Sequence, residues 1–125
     1  PVRGRLVSRY GESTNFGNTV KGIRLETRPD AQVVTPFDGK VVFAGPFRTY
    51  GQILIIEHRG GYHTLLAGLA QIDAVVGQWL LAGEPLGSMA TRKGGKPILY
   101  VELRRNGQPI NPLPWITAEK LRVRG

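Results

Sequence analysis

Residues Gly39–Leu66 read GKVVFAGPFRTYGQILIIEHRGGYHTLL, and no other part of the chain constrains the architecture as tightly. Three β-branched, aromatic-rich runs stand here: Gly39–Ala44, Gln52–His58 and Tyr62–Leu66. Glycine and proline separate them, as they separate short strands. The turn Arg59-Gly60-Gly61 joins the last two runs as a hairpin, because glycine supplies the positive φ that tight turns need. The segment Ile53–Ile56 is apolar at every position, so the sheet is covered on both sides or packed against a second sheet. Toward the C-terminus, Ala74–Gly87 (AVVGQWLLAGEPLG) carries Gly77, Gly83 and Gly87, too closely spaced for a stable helix and fitting a chain that turns between short strands. Ile98–Arg105 (ILYVELRR) is the last strong strand, and Asn106-Gly107 marks the turn after it. Pro109, Pro112 and Pro114 hold the exit extended. Trp79 and Trp115 read as packing residues. Only Thr117–Arg124 has a brief helical character, and the arm 1–12 reads as irregular. The expectation is an all-β, compact antiparallel β-sheet sandwich: one domain over 1–125, with an irregular arm at 1–12 and a tail at 117–125.

The composition narrows the chemistry. The 125 residues fit a single core. The absence of cysteine removes disulfides, thiolate zinc sites, iron–sulfur clusters and thiol nucleophiles. Seventeen Lys+Arg against nine Asp+Glu give a net charge of +8, which favours an anionic partner of some kind. Nucleic acid is the weakest candidate, since no aromatic-basic interleaving or recognition helix accompanies the charge. No apolar run approaches the length of a membrane-spanning helix. A start at Pro1, without Met or a charged-then-apolar leader, is expected of a processed or excised domain.

Alternation along Ile98–Arg105 puts Leu99, Val101 and Leu103 on a core face and Ile98, Tyr100, Glu102 and Arg104 on the other. Periodicity alone leaves two readings of that second row: the floor of a groove, or a solvated face with an Arg104–Glu102 ion pair. The two histidines lack a third ligand in register, so a metal pair is not expected. His58 reads as a hydrogen-bonded hairpin residue and His63 as a half-exposed strand residue. No G-x-S-x-G elbow is present. The basic loop Arg92–Lys96 lacks the phosphate-loop pattern and reads as solvated.

In order along the chain, Val20-Lys21-Gly22-Ile23-Arg24, Asp38–Gly45, Tyr50–Leu69, Val76–Gly87 and Ile98–Pro112 carry a resemblance. Together they are similar to the LytM-type, lysostaphin-like zinc endopeptidase domain, of the duplicated hybrid motif type. That family runs H-x-G-x-D, then a glycine-punctuated β-meander, then vGqxVxaG, then HLHFExrxxG. The resemblance covers the scaffold and fails at the chemistry. It places the three zinc-ligand positions at Val20, Arg24 and Tyr100, and two further catalytic histidine positions at Gly68 and Ile98. Val has no lone pair, Arg brings a cation, and a neutral phenol is a poor zinc ligand. The resemblance therefore implies no enzyme, no metal and no cofactor.

Scaffold kept and ligands lost, the chain resembles the degenerate LytM domains of murein hydrolase activators, EnvC-like. Pro1-Val2-Arg3-Gly4, Tyr50-Gly51, Ile98–Gln108 and Asn111-Pro112-Leu113-Pro114-Trp115 carry this closer likeness. It implies a non-catalytic activator of a periplasmic N-acetylmuramoyl-L-alanine amidase, which binds the amidase through the vacated groove and displaces a blocking helix during cell division in a Gram-negative bacterium. The expected partner contacts are Lys21, Arg24, Tyr50, Tyr100 and Arg104. A division-site ABC-transporter-like complex is a further implied partner, through segments outside these residues. The alternative is a non-catalytic peptidoglycan-binding module.

Overall fold

The computed structural model describes residues 5–8, 21–48, 51–90, 96–112 and 123–124. They form two antiparallel sheets with almost no helix. The larger sheet runs β1 (Arg5–Ser8), β2 (Ile23–Glu26), β10 (Ile98–Arg105), β6 (Tyr62–Leu69), β5 (Gln52–Glu57), β4 (Gly39–Pro46), β8 (Trp79–Leu80), with β11 (Gln108–Ile110) also on β10. The smaller sheet runs β12 (Val123–Arg124), β3 (Gln32–Val34), β9 (Pro85–Ser88), β7 (Gln71–Ile72). The expected all-β sandwich is thus the observed one.

Turn chemistry explains the meander. Gly60 and Gly61 both take positive φ, at 77° and 78°, between β5 and β6. Asn106 and Gly107, at 50° and 82°, form the paired left-handed turn that returns β10 into β11. The core lies between the sheets. Leu99 and Val101 of β10 join Leu66, Leu54, Val41 and Leu86 there, all fully buried. Each such side chain contributes roughly 1.5–3 kcal/mol of burial.

Three expectations are corrected. The arm 1–12 is not irregular throughout, because Arg5–Ser8 is a strand paired with β2. At the other end, Val123–Arg124 is a strand on β3 rather than the end of a helix; residues 113–122, and Trp115 with them, lie outside the described residues. Trp79 is not a packing residue. It is 70 % exposed, because the two-residue edge strand β8 can turn only one side chain inward, and Leu80 takes that place at 1 % exposure.

Candidate functional site

The site grows from β10. Its alternation is the expected one, and the registers extend the outer row across the sheet. Tyr100 stands between Arg24 of β2 and Ala67 of β6, Glu102 opposite Leu65, and Arg104 opposite His63. Leu65 in turn faces Ile55 of β5, and Ile55 faces Phe43 of β4. One face of the large sheet is therefore cationic and phenolic on its β2–β10 side and apolar on its β4–β5–β6 side.

Glu102 organises the cationic half. It is only 4 % exposed, and a buried carboxylate is tolerable only when its oxygens are paired. The Tyr100 hydroxyl donates to Oε1 at 2.6 Å, and Arg104 Nε donates to Oε2. The open polar row read from periodicity is thus a closed triad, and the anticipated Arg104–Glu102 pair is part of it. Burial pushes the Tyr100 phenol up from its usual range; the bond to Glu102 adds to this, while Arg104 and Arg24 oppose it. Tyr100 is a neutral donor at any physiological pH.

Gly22 makes the triad possible. A Cβ there would run into the Val101 carbonyl oxygen and would come within 3.0 Å of the Tyr100 Cζ and hydroxyl, so the ring rests on bare backbone. Gly68 is the second glycine that geometry requires. It is the extra residue of a bulge, between Leu69 opposite Gln52 and Ala67 opposite Ile53, with φ of 104°. Any Cβ there would strike the Ile98 carbonyl oxygen.

Whether these residues fit the zinc ion that the resemblance implies is decided by their donors. Val20 lies outside the described residues. Arg24 is an exposed cation, Ile98 is hydrocarbon, and the Tyr100 hydroxyl is committed as a donor to Glu102. Among the described residues, no group of three or more His, Cys, Asp or Glu that could hold a metal comes together. The described residues at these positions do not fit zinc. The two histidines serve elsewhere. His58 places Nδ1 2.7 Å from the Asp38 carbonyl oxygen and Nε2 2.7 Å from Thr64 Oγ1, with its ring edge-on to Phe37. The carbonyl can only accept, so Nδ1 carries the proton. Burial pushes this imidazole below its ordinary range, outweighing the carbonyl bond. His63 faces Glu57 at 3.5 Å.

Of the expected contacts, the structure brings Tyr100, Arg104 and Arg24 together, with Lys21 exposed one residue before Gly22. Tyr50 lies outside the described residues, as does most of the basic loop; Lys96 reaches Glu26 at 4.0 Å. Two features escaped the sequence reading. One is the organising role of Glu102. The other is the apolar half of the face, where Phe43, Phe47, Ile55 and Leu65 line a cavity of about 430 Å³ beside Arg104. Its signal is the unbroken apolar run Ile53–Ile56, which composition alone assigns to a sheet covered on both sides or packed against a second sheet.

This two-sheet antiparallel scaffold, with the triad and the cavity on one face of its large sheet, is that of a LytM-type, lysostaphin-like domain. The chain belongs to peptidase family M23, whose family model matches residues 18–112. It is 34% identical over 117 residues to the murein hydrolase activator EnvC of Escherichia coli, covering 93% of this chain and 28% of that protein. With the murein hydrolase activator NlpD of the same organism the figures are 30% over 120 residues, 93% and 30%. The chain thus spans less than a third of either relative. Among solved structures, the catalytic domain of the antimicrobial peptidase lysostaphin from Staphylococcus simulans superposes with a TM-score of 0.76 at 21% identity, over 90% of this chain and 91% of that one.

Proposed function

We propose that this domain is a non-catalytic activator of a periplasmic N-acetylmuramoyl-L-alanine amidase, engaging it through the groove that holds Lys21, Arg24, Tyr100 and Arg104. The observation that carries the reading is Tyr100: at a position where the resemblance implies a metal ligand stands a phenol committed to Glu102, beside the Arg104 guanidinium that Glu102 also holds, and both groups are enriched at protein–protein hot spots. The similarity to two murein hydrolase activators supports the same reading, as does a donor set unsuited to zinc. The energetic demand is modest. Shifting a blocked enzyme from 1:99 to 99:1 takes about 5.5 kcal/mol of differential binding, which a few anchored side chains supply. The Gram-negative envelope is where such an activator acts, during cell separation.

Dye release from labelled sacculi tests this, with the purified domain alone, each zinc amidase of the same bacterium alone, and the two mixed. Release only from a mixture is the expected result. Release by the domain alone would overturn the non-catalytic reading. Retention on sacculi with no effect on any amidase would replace it with a peptidoglycan-binding module.

A further inference from the structure

The triad occupies only half of the groove floor. Beside it, Phe43, Ile55 and Leu65 point to the same side as Glu102 and Arg104 and leave a cavity of about 430 Å³, within the range of ligand pockets. Phe47 overhangs it at the hairpin tip, 42 % exposed and edge-on to Phe43 at 6.2 Å. With the neighbouring His63 opposite it, Arg104 is the polar wall of this cavity. Its Nε is held by Glu102, which turns the planar guanidinium into a fixed fork; the side chain is 42% exposed, and no described residue accepts a bond from its two Nη groups. A guanidinium fork matches a carboxylate with two parallel bonds. Arg24, exposed and opposite Tyr100, extends the positive charge along the same face. Apart from His63, no side chain that lines the cavity accepts a hydroxyl donor, so sugars are poorly served.

We propose that this cavity is the specificity pocket of the groove: it takes an apolar side chain of leucine to phenylalanine size from an acidic segment of the amidase, whose neighbouring carboxylate seats on the Nη edge of Arg104. The pocket deepens the activator reading and rests on it. The occupant follows from charge and shape together, since an apolar floor with a fixed guanidinium wall, in a chain of net charge +8, selects an apolar group attached to an anion. Glu102 is a positioning residue here. It fixes the fork and touches no partner atom.

The test has two arms. In the first, the ¹⁵N-labelled domain is titrated with 3-phenylpropionate and, separately, with 3-phenylpropanamide, which has the same body without the charge. The acid is expected to move the amide signals of Ile55 and Leu65 and the Arg104 Nε–H, and the amide to bind about tenfold more weakly. In Glu102→Gln the backbone signals still move but the preference for the acid falls. In the second arm, amidase binding is measured for Ile55→Asp and Phe47→Ser against Gln32→Ala, a control on the solvent side of the small sheet. A loss of about tenfold or more for the first two alone supports the pocket. Should Ile55→Asp fail to fold, the exposed position of Phe47 keeps the arm decisive. Amidase binding that is unaffected by either variant overturns the pocket and leaves the activator reading intact. Acid-selective shifts without activation of any amidase overturn the activator reading, and with it the amidase as source, while the ligand class stands. Equal response to acid and amide overturns the role of Arg104.

Discussion

Truncating Arg104 is the sharpest probe of the triad, because it removes one donor from a carboxylate that is 4 % exposed and leaves the other in place. A hydrogen bond to a charged group is worth about 1.5–3 kcal/mol. The Arg104 side chain is 42% exposed, so screening brings its share to the lower end, about 1.5 kcal/mol. Glu102→Ala costs more, about 2–3 kcal/mol, since it strands both the Tyr100 hydroxyl and the guanidinium in half-buried positions. If the two side chains act through each other, Glu102→Ala/Arg104→Ala costs less than the sum, with a coupling energy of about 1 kcal/mol. Urea unfolding of wild type, both single variants and the double variant measures this directly, provided the dependence on denaturant is unchanged across the four. Strict additivity, with a coupling below about 0.3 kcal/mol, would refute the claim that Glu102 holds Arg104 in place.

Other expectations follow from the same geometry. Gly68→Ala destabilises the domain by about 2 kcal/mol or more, because φ of 104° and the Ile98 carbonyl both oppose a Cβ; a thermal melt matching wild type would contradict this. Stability falls as pH drops below about 6.5: the folded state lowers the His58 pKa, so the unfolded chain binds more protons, and the contribution present above the ordinary imidazole value is lost on acidification. His58→Gln, which cannot titrate, flattens that part of the curve in a series of urea midpoints against pH. At the alkaline end the sign reverses for Tyr100, whose raised pKa stabilises the fold below the usual phenol range and ceases to as pH rises beyond it. Ultraviolet titration therefore shows a tyrosine phase above the usual phenol range, which Tyr100→Phe abolishes. Elemental analysis of the purified domain finds no stoichiometric zinc; one equivalent would contradict the donor argument.

Much of this was legible in the sequence. Gly60-Gly61 and Asn106-Gly107 are local chemistry, and both turns stand where glycine and asparagine put them. Leu99, Val101 and Leu103 declared their face by alternation, since a strand of period two separates core from surface without help from its neighbours. The exposure of Trp79 was not legible, because it depends on β8 being two residues long at a sheet edge, a tertiary outcome that hydropathy does not encode. Strand β1 was hidden for a similar reason: Arg5–Ser8 is short, and pairing with β2 rather than its own pattern makes it a strand. The placement of Tyr100 and Arg104 on the same face of β10 was readable from alternation. The burial of Glu102 was not, because a carboxylate on a polar face gives no sign that two long side chains close over it. The apolar half of this face was visible as Ile53–Ile56, but a sheet covered on both sides, one packed against a second sheet and a pocket floor share one composition.

The central claim is that a groove without catalytic groups activates an amidase through Tyr100 and Arg104, and it is met most directly by a rate. The measurement is the initial rate of dye release by a cognate amidase as the domain is titrated in, for wild type, Tyr100→Ala, Arg104→Ala and the Gln32→Ala control, each shown to be folded. The account predicts saturable activation by wild type and control, with loss of activation in both groove variants. Full activation by the folded groove variants would contradict it and place the activating surface elsewhere on the domain.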